Sequence, residues 1–264
     1  MKKIVAAMLM AAGLVACSST KGPADETRGW PVERLYGEAR DELNSGNYTR
    51  AVQLYETLEA RFPYGRFAQQ AQMDLAYTHF KDREAQLALA ACDRFIKLHP
   101  AHPNLDYIYY LKGLVHFNED ESLLTRWTGQ DLSERDPRAA RESFQAFREL
   151  ITRFPQSPYA EDGKKKMAIL VDAMAANEMH VARYYMKRKA YLAAVNRAQA
   201  TIREFADAGY TEEALALMVT AYTELKLPKL AEDSQRVLVT SYPNSRYLKS
   251  PWVYQDMPWY QFWR

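Results

Sequence analysis

Cysteine is almost absent: Cys17 and Cys92 are the only two in the chain. One of them falls in the leader region described below, so a disulfide framework is excluded and stability must come from packing. Charge imbalance is lacking too. The 35 basic and 33 acidic residues leave a formal charge of +2, and nothing in that balance argues for a nucleic-acid partner. β-like runs are few. The motifs of common enzymes are missing, with no GxSxG elbow, no phosphate-cradling glycine loop and no HExxH helix. The five histidines do not fill this gap. His99 and His102 stand in "HPAHP", a proline-shaped turn with no carboxylate or cysteine nearby to complete a metal site, and His79, His116 and His180 are isolated on helical stretches. Cys92 shares an apolar helical stripe with Leu89, Phe95 and Ile96 and reads as a buried, inert thiol. Lys164, Lys165 and Lys166 read as a solvated helix face. The sequence gives no reason to expect catalysis, a metal or a dissociable cofactor.

What is present begins at the first residue. "MKKIVAAMLMAAGLVA", residues 1–16, has a basic start and an apolar run too short for the roughly 20 residues that span a bilayer. It reads as a secretory signal peptide. Leu14-Val15-Ala16-Cys17 resembles a bacterial lipobox, which implies N-acyl and S-diacylglycerol groups on Cys17 after cleavage before it. An ordinary signal peptide with a chance cysteine is the plainer alternative. Several acyl chains anchor a protein stably where a single chain does not. Ser18 and Ser19, with no aspartate beside the cysteine, favour the outer membrane. Loss of Lys2 and Lys3 with the leader leaves 33 basic residues against 33 acidic ones. Residues 17–30 are small and polar and suit a flexible linker.

From Tyr36 onward the chain reads as helix after helix. A phrase recurs at the ends of alternate helices: "ARFPYGRFAQQAQ", "KLHPAHPNLDY", "TRFPQSPYAEDG", "REFADAGYTEEA" and "TSYPNSRYLKS". Its marker residues, Phe62, His99, Phe154, Phe205 and Tyr242, are 37, 55, 51 and 37 residues apart. A period in the mid-thirties is the signature of a helix-pair solenoid, and the two longer steps call for an insertion and a helix extension. Gly46, Tyr48, Ala51, Tyr55 and Pro63 fall at the spacing of a tetratricopeptide (TPR) repeat. Ala88 and Pro100 keep the pattern, Ser143 replaces the alanine in the third repeat, and Ala206 replaces the closing proline in the fourth. The expected fold is all-α: a right-handed superhelix of about five TPR-like helix pairs, an α-solenoid with a concave binding surface. Residues 31–160 form the N-terminal repeats, interrupted at 118–135, and residues 161–249 the C-terminal repeats. The insertion is either a partner-contacting element or a tolerated surface loop.

Helix-A positions put Tyr36, Arg40, Tyr77 and Tyr110 toward the concave side. Aromatics with an arginine suit an extended peptide bearing apolar side chains and a terminal carboxylate. Equally, these tyrosines pack between helices. Phe62 either rims that groove or packs the turn. The last segment, 250–264, carries Trp252, Trp259 and Trp263 with Pro251 and Pro258. Capping of the last repeat or a protein contact is favoured over the lipid headgroup level, because helical amphipathicity is lacking and cations are few.

Beyond the repeat framework, four stretches are more specific: "NSGNYTRAVQLYETLEARFPYG", "ALAACDRFIKLHPAHPNLDYIYYLKG", "RDPRAARESFQAFRELITRFPQSPYAEDGKKK" and "VARYYMKRKAYLAAVNRAQATIREF". Over about residues 30–245 the chain resembles the BamD (ComL) family of outer-membrane assembly lipoproteins; the aromatic tail does not fit the family pattern. The resemblance implies a non-enzymatic scaffold of the β-barrel assembly (BAM) complex, held by Cys17 on the periplasmic face of the outer membrane. Its C-terminal repeats would dock on a POTRA domain of the barrel-forming subunit, through Arg197 and its neighbour Asn196 in "AAVNRAQ". Its N-terminal repeats would hold the C-terminal signals of unfolded outer-membrane proteins, beside other BAM lipoproteins. A pilotin-like TPR lipoprotein that escorts a secretin, and a peptidoglycan-binding lipoprotein, are the competing readings.

Overall fold

The computed structural model describes residues 26–118 and 137–254. The expected signal peptide, Cys17, insertion residues 119–135, and Trp259 and Trp263 of the tail lie outside the described residues. Ten α-helices follow one another: α1 (Val32–Ser45), α2 (Tyr48–Arg61), α3 (Arg66–Lys81), α4 (Ala85–Leu98), α5 (Leu105–Asn118), α6 (Pro137–Arg153), α7 (Ala160–Lys187), α8 (Tyr191–Glu204), α9 (Thr211–Glu224) and α10 (Pro228–Ser241). They make five A/B pairs, with no strand among the described residues. This is the expected all-α array, and α7, at 28 residues against 14 for its neighbour α8, supplies the expected helix extension.

The same two turns build it repeatedly. From A to B, the chain passes through a left-handed residue: Gly46 (φ 83°), Arg83 (63°), Lys189 (58°) and Lys226 (57°). The next residue donates its N–H back to close the helix: Asn47 to Glu42 O, Glu84 to His79 O, Ala190 to Tyr185 O and Leu227 to Tyr222 O, all at 2.9–3.0 Å. From B to A, the marker residues each donate to the carbonyl four back: Phe62 to Leu58, His99 to Phe95, Phe154 to Leu150, Phe205 to Thr201 and Tyr242 to Leu238. Phe62, His99, Phe205 and Tyr242 share φ of −129° to −134°. A following proline forbids the α conformation there. Phe205 adopts the same angle ahead of Ala206, held instead by packing at 8% exposure.

Small residues on the B helices let the pairs close. Ala51, Ala88, Ser143 and Ala194 are all fully buried. Ser143 is tolerated because its hydroxyl donates to the Gly113 carbonyl at 2.9 Å. That approach needs glycine, since a Cβ at 113 would meet the Phe147 ring at 2.5 Å.

Three apolar clusters run along the array. The first is Leu35, Ala39, Ala51, Leu54, Tyr55 and Leu58 with parts of α3. The second spans α3 to the first half of α7 and takes in Phe205 and Ala208. The third holds Met179, Ala182 and Met186 with α8, α9, Leu238 and Trp252. Because α7 belongs to both of the latter clusters, it joins the two halves of the array. Helices α1 and α3, and α3 and α5, also touch one another, so the A helices line the inner face. Residues 26–30, expected as the end of the linker, lie on this array: Arg61 Nη1 donates to the Thr27 carbonyl at 2.6 Å, and Arg34 stacks over Trp30 at 4.1 Å.

Candidate functional site

On the inner face, two of the expected groove tyrosines, Tyr36 and Tyr110, each tie one repeat to the next. Tyr36, on α1, is half-buried and donates its hydroxyl to Asp74 Oδ2 on α3 at 2.8 Å. Gln70 donates to the other oxygen at 3.0 Å. Burial raises the Asp74 carboxyl above its ordinary value, although Tyr36 and Gln70 pull the other way. The fully buried Tyr55 hydroxyl completes no hydrogen bond, and burial followed by the nearby Asp74 charge raises its pKa. Tyr110, on α5, donates to Asp162 Oδ2 on α7 at 2.7 Å and stacks on Tyr159 at 4.8 Å; burial and that bond push its phenol up to about 12. Tyr77 packs on Phe80 at 6.3 Å. Arg40 is exposed, one turn from Tyr36 on α1. Phe62 lines a different shallow pocket, with Arg28, Gly29, Trp30 and Arg61. The inner face therefore brings an exposed guanidinium, Arg40, to a series of rings, of which Tyr36 and Tyr110 have their hydroxyls bonded to acids.

On the outer face, Arg197 projects from α8 beside Asn196. Together with Tyr185, Ala193 and Ala200 they line a pocket of about 320 Å³. Arg197 Nη1 lies 3.1 Å from Glu178 Oε2 on α7, with 47% of its side chain exposed. Asn196 is exposed. Arg141 of α6 approaches the same Glu178 at 4.0 Å. A separate groove of about 590 Å³ is lined by Tyr109, Lys112 and His116 of α5 and by residues of α4 and α6, Arg141 among them.

The C-terminal end has its own network. Residues 243–248 copy the entry into an A helix: Ser245 N–H bonds to the Tyr242 carbonyl at 2.9 Å, as Ser157 N–H does to Phe154 at 3.0 Å. The serine hydroxyls then reach acids on the preceding A helices, Ser157 to Asp106 at 2.7 Å and Ser245 to Glu212 at 2.6 Å. Among the described residues a single 3₁₀ turn, Arg246–Leu248, follows. The chain turns back over α9, where Trp252 is 6% exposed. Its indole donates to Glu213 Oε1 at 3.1 Å, and its carbonyl accepts from Thr220 at 3.1 Å. Glu213 also takes a bidentate bond from Arg183, at 2.7 and 2.6 Å. Burial alone would raise the Glu213 carboxyl, but Arg183 and Trp252 hold it below its ordinary value. Tyr254 continues this path under Lys187, 5.3 Å from the ring centre.

His99 bonds to Gln72 at 2.8 Å, and no metal-binding group of His, Cys, Asp or Glu occurs among the described residues. Burial pushes the Cys92 thiol up to about 12, consistent with inertness. Sequence reading missed Asp74, Glu178 and the Glu213–Trp252 contact. A signal existed for Glu178: it is the one acid in "AMAANEMHVA", residues 173–182.

Comparison with known proteins gives a consistent result. The family profile described as YfiO, outer membrane lipoprotein, matches residues 29–238. A Neisseria meningitidis serogroup B protein named outer membrane protein assembly factor BamD is 55% identical, covering 100% of both chains. Proteins of the same name from Xylella fastidiosa and Vibrio cholerae are 36% and 32% identical, over 85% of this chain and 77% and 92% of theirs.

Proposed function

Because the chain belongs to the BamD family of outer-membrane lipoproteins, we propose that it is a non-catalytic scaffold of the β-barrel assembly complex that docks through its C-terminal repeats and holds clients on its N-terminal ones. Cys17 carries the lipid that keeps it on the periplasmic face of the outer membrane. The partner is a POTRA domain of the barrel-forming subunit, and other lipoproteins of the complex complete the assembly. Unfolded outer-membrane proteins present their C-terminal signals to the inner face, where Arg40 takes a terminal carboxylate beside the rings of Tyr36, Tyr77 and Tyr110.

One observation carries the docking half. Arg197 is half-exposed at the rim of a pocket with Asn196, although its partner Glu178 is buried. A guanidinium held at one edge by its own chain keeps its remaining donors for a second carboxylate. A photocrosslinker at Asn196, exposed and next to Arg197, tests this in cells. The expected adduct is with the barrel-forming subunit; a complex that assembles without that adduct overturns the docking assignment.

A further inference from the structure

Glu178 is 7% exposed, midway along α7 among Ala175, Ala176, Met179 and Ala182. A carboxylate in such surroundings needs cationic partners, and it has two from different helices. Arg197 of α8 lies 3.1 Å from Oε2 and Arg141 of α6 lies 4.0 Å from Oε1. Both keep much of the side chain in water, 47% for Arg197 and 60% for Arg141. One buried negative charge thus holds two exposed positive ones, and the strip keeps a net positive charge facing outward. Arg141 also lines the groove of α4, α5 and α6.

We infer that Arg141 is a second docking residue and that Glu178 is the positioning residue for both, so that one acidic side chain of the partner is taken by Arg141 and Arg197 together. The inference rests on the reading that the Arg197 surface faces the barrel-forming subunit. Glu178 faces one nitrogen of each guanidinium, Nη1 of Arg197 and Nη2 of Arg141, and so draws the two cations from different helices toward one carboxylate. A partner carboxylate entering there neutralises the excess charge and meets donors from two helices at once. Without the Glu178 charge the two cations repel each other across a site that no longer holds them. Arg197 alone, by contrast, gives a single contact with no reason to prefer a carboxylate at this spot over any other.

Binding of the full chain in detergent to the purified periplasmic part of the barrel-forming subunit, measured at low and high salt, tests this. Arg197→Ala is expected to weaken binding about tenfold, and Arg141→Ala roughly threefold to tenfold. The double variant loses less than the product of the two, since both residues serve one carboxylate. Glu178→Gln weakens binding as Arg197→Ala does, with unchanged helix content by circular dichroism at the assay temperature. If Glu178→Gln lowers only the melting temperature and leaves affinity intact, its role is structural and the inference is wrong. Arg141→Ala is an exposed substitution and decides the matter even if Glu178→Gln does not fold: normal affinity sinks the inference while the docking reading stands. If Arg197→Ala also binds normally, the docking reading itself has failed.

Discussion

Asp74 and Glu213 are part-buried carboxylates whose surroundings push them in opposite directions, and their pH responses follow. Asp74 has a folded pKa above its ordinary value, burial being the largest cause. Its contribution is best below the ordinary carboxylate pKa and is lost as pH rises through the raised folded value. Asp74→Asn is therefore expected to melt at or above the parent temperature at pH 7, with the gain vanishing near pH 4. Glu213 has a folded pKa below its ordinary value, because Arg183 and the Trp252 indole outweigh burial. Its contribution is present above the ordinary value and is lost as pH falls through the lowered one. Glu213→Gln should cost about 2 kcal/mol at neutral pH, by leaving Arg183 half-buried without its counter-charge, and much less in acid. Thermal melts of the two variants across pH 3–8 check both signs; parallel curves for the two would show that neither carboxylate is tuned as described.

At the scale of the helix and its turns, much was legible. The phrase ending in Phe62-Pro63 or Tyr242-Pro243 marks a helix end because proline dictates the backbone of the residue before it, and its spacing yielded the pairs, the long α7 and the site of the insertion. The A-to-B turns were legible only at Gly46. Arg83, Lys189 and Lys226 adopt the same left-handed conformation with side chains that disfavour it, so nothing local announces them. The inter-repeat contacts were illegible for a different reason. On a single helix a charged residue reads as solvent-facing, and only stacking brings Asp74 under Tyr36 or Glu178 between two arginines. The turns make a direct prediction. A non-glycine residue at positive φ is strained by about 1 kcal/mol or more relative to glycine, partly offset by the larger unfolded-state entropy of glycine. Lys226→Gly and Lys189→Gly should each stabilise the fold by roughly 0.5 kcal/mol, read as a higher urea midpoint, whereas glycine at the exposed Lys165, inside α7, should destabilise it by about as much. Loss of stability at all three positions would mean that the turn side chains contribute more than their strain.

For the whole molecule, stability is a chain of neighbour contacts, since each pair packs chiefly on the next. Such an array is most vulnerable where it stops, because the last pair has a partner on one side only. After α10, Ser245 and the 3₁₀ turn Arg246–Leu248 repeat the start of an A helix, and among the described residues Trp252 then covers α9, where a further A helix would pack. The aromatic tail is thus, in its described part, a lid on the apolar end of the solenoid. Trp252→Ala should remove roughly 3–5 kcal/mol of local stability, by emptying a buried site and stripping Glu213 of a donor. In a nearest-neighbour array that loss stays near its origin. Amide exchange is expected to quicken throughout α9 and α10, less in α7 and α8, and not measurably in α1 and α2. The last two helices also fall outside the Tyr36–Asp74 and Tyr110–Asp162 ties, so the inner face of the N-terminal repeats should keep its shape in the variant. Equal acceleration in α1 and α10 would instead make the array a single cooperative unit, and Trp252 would then support every repeat rather than the end of the stack.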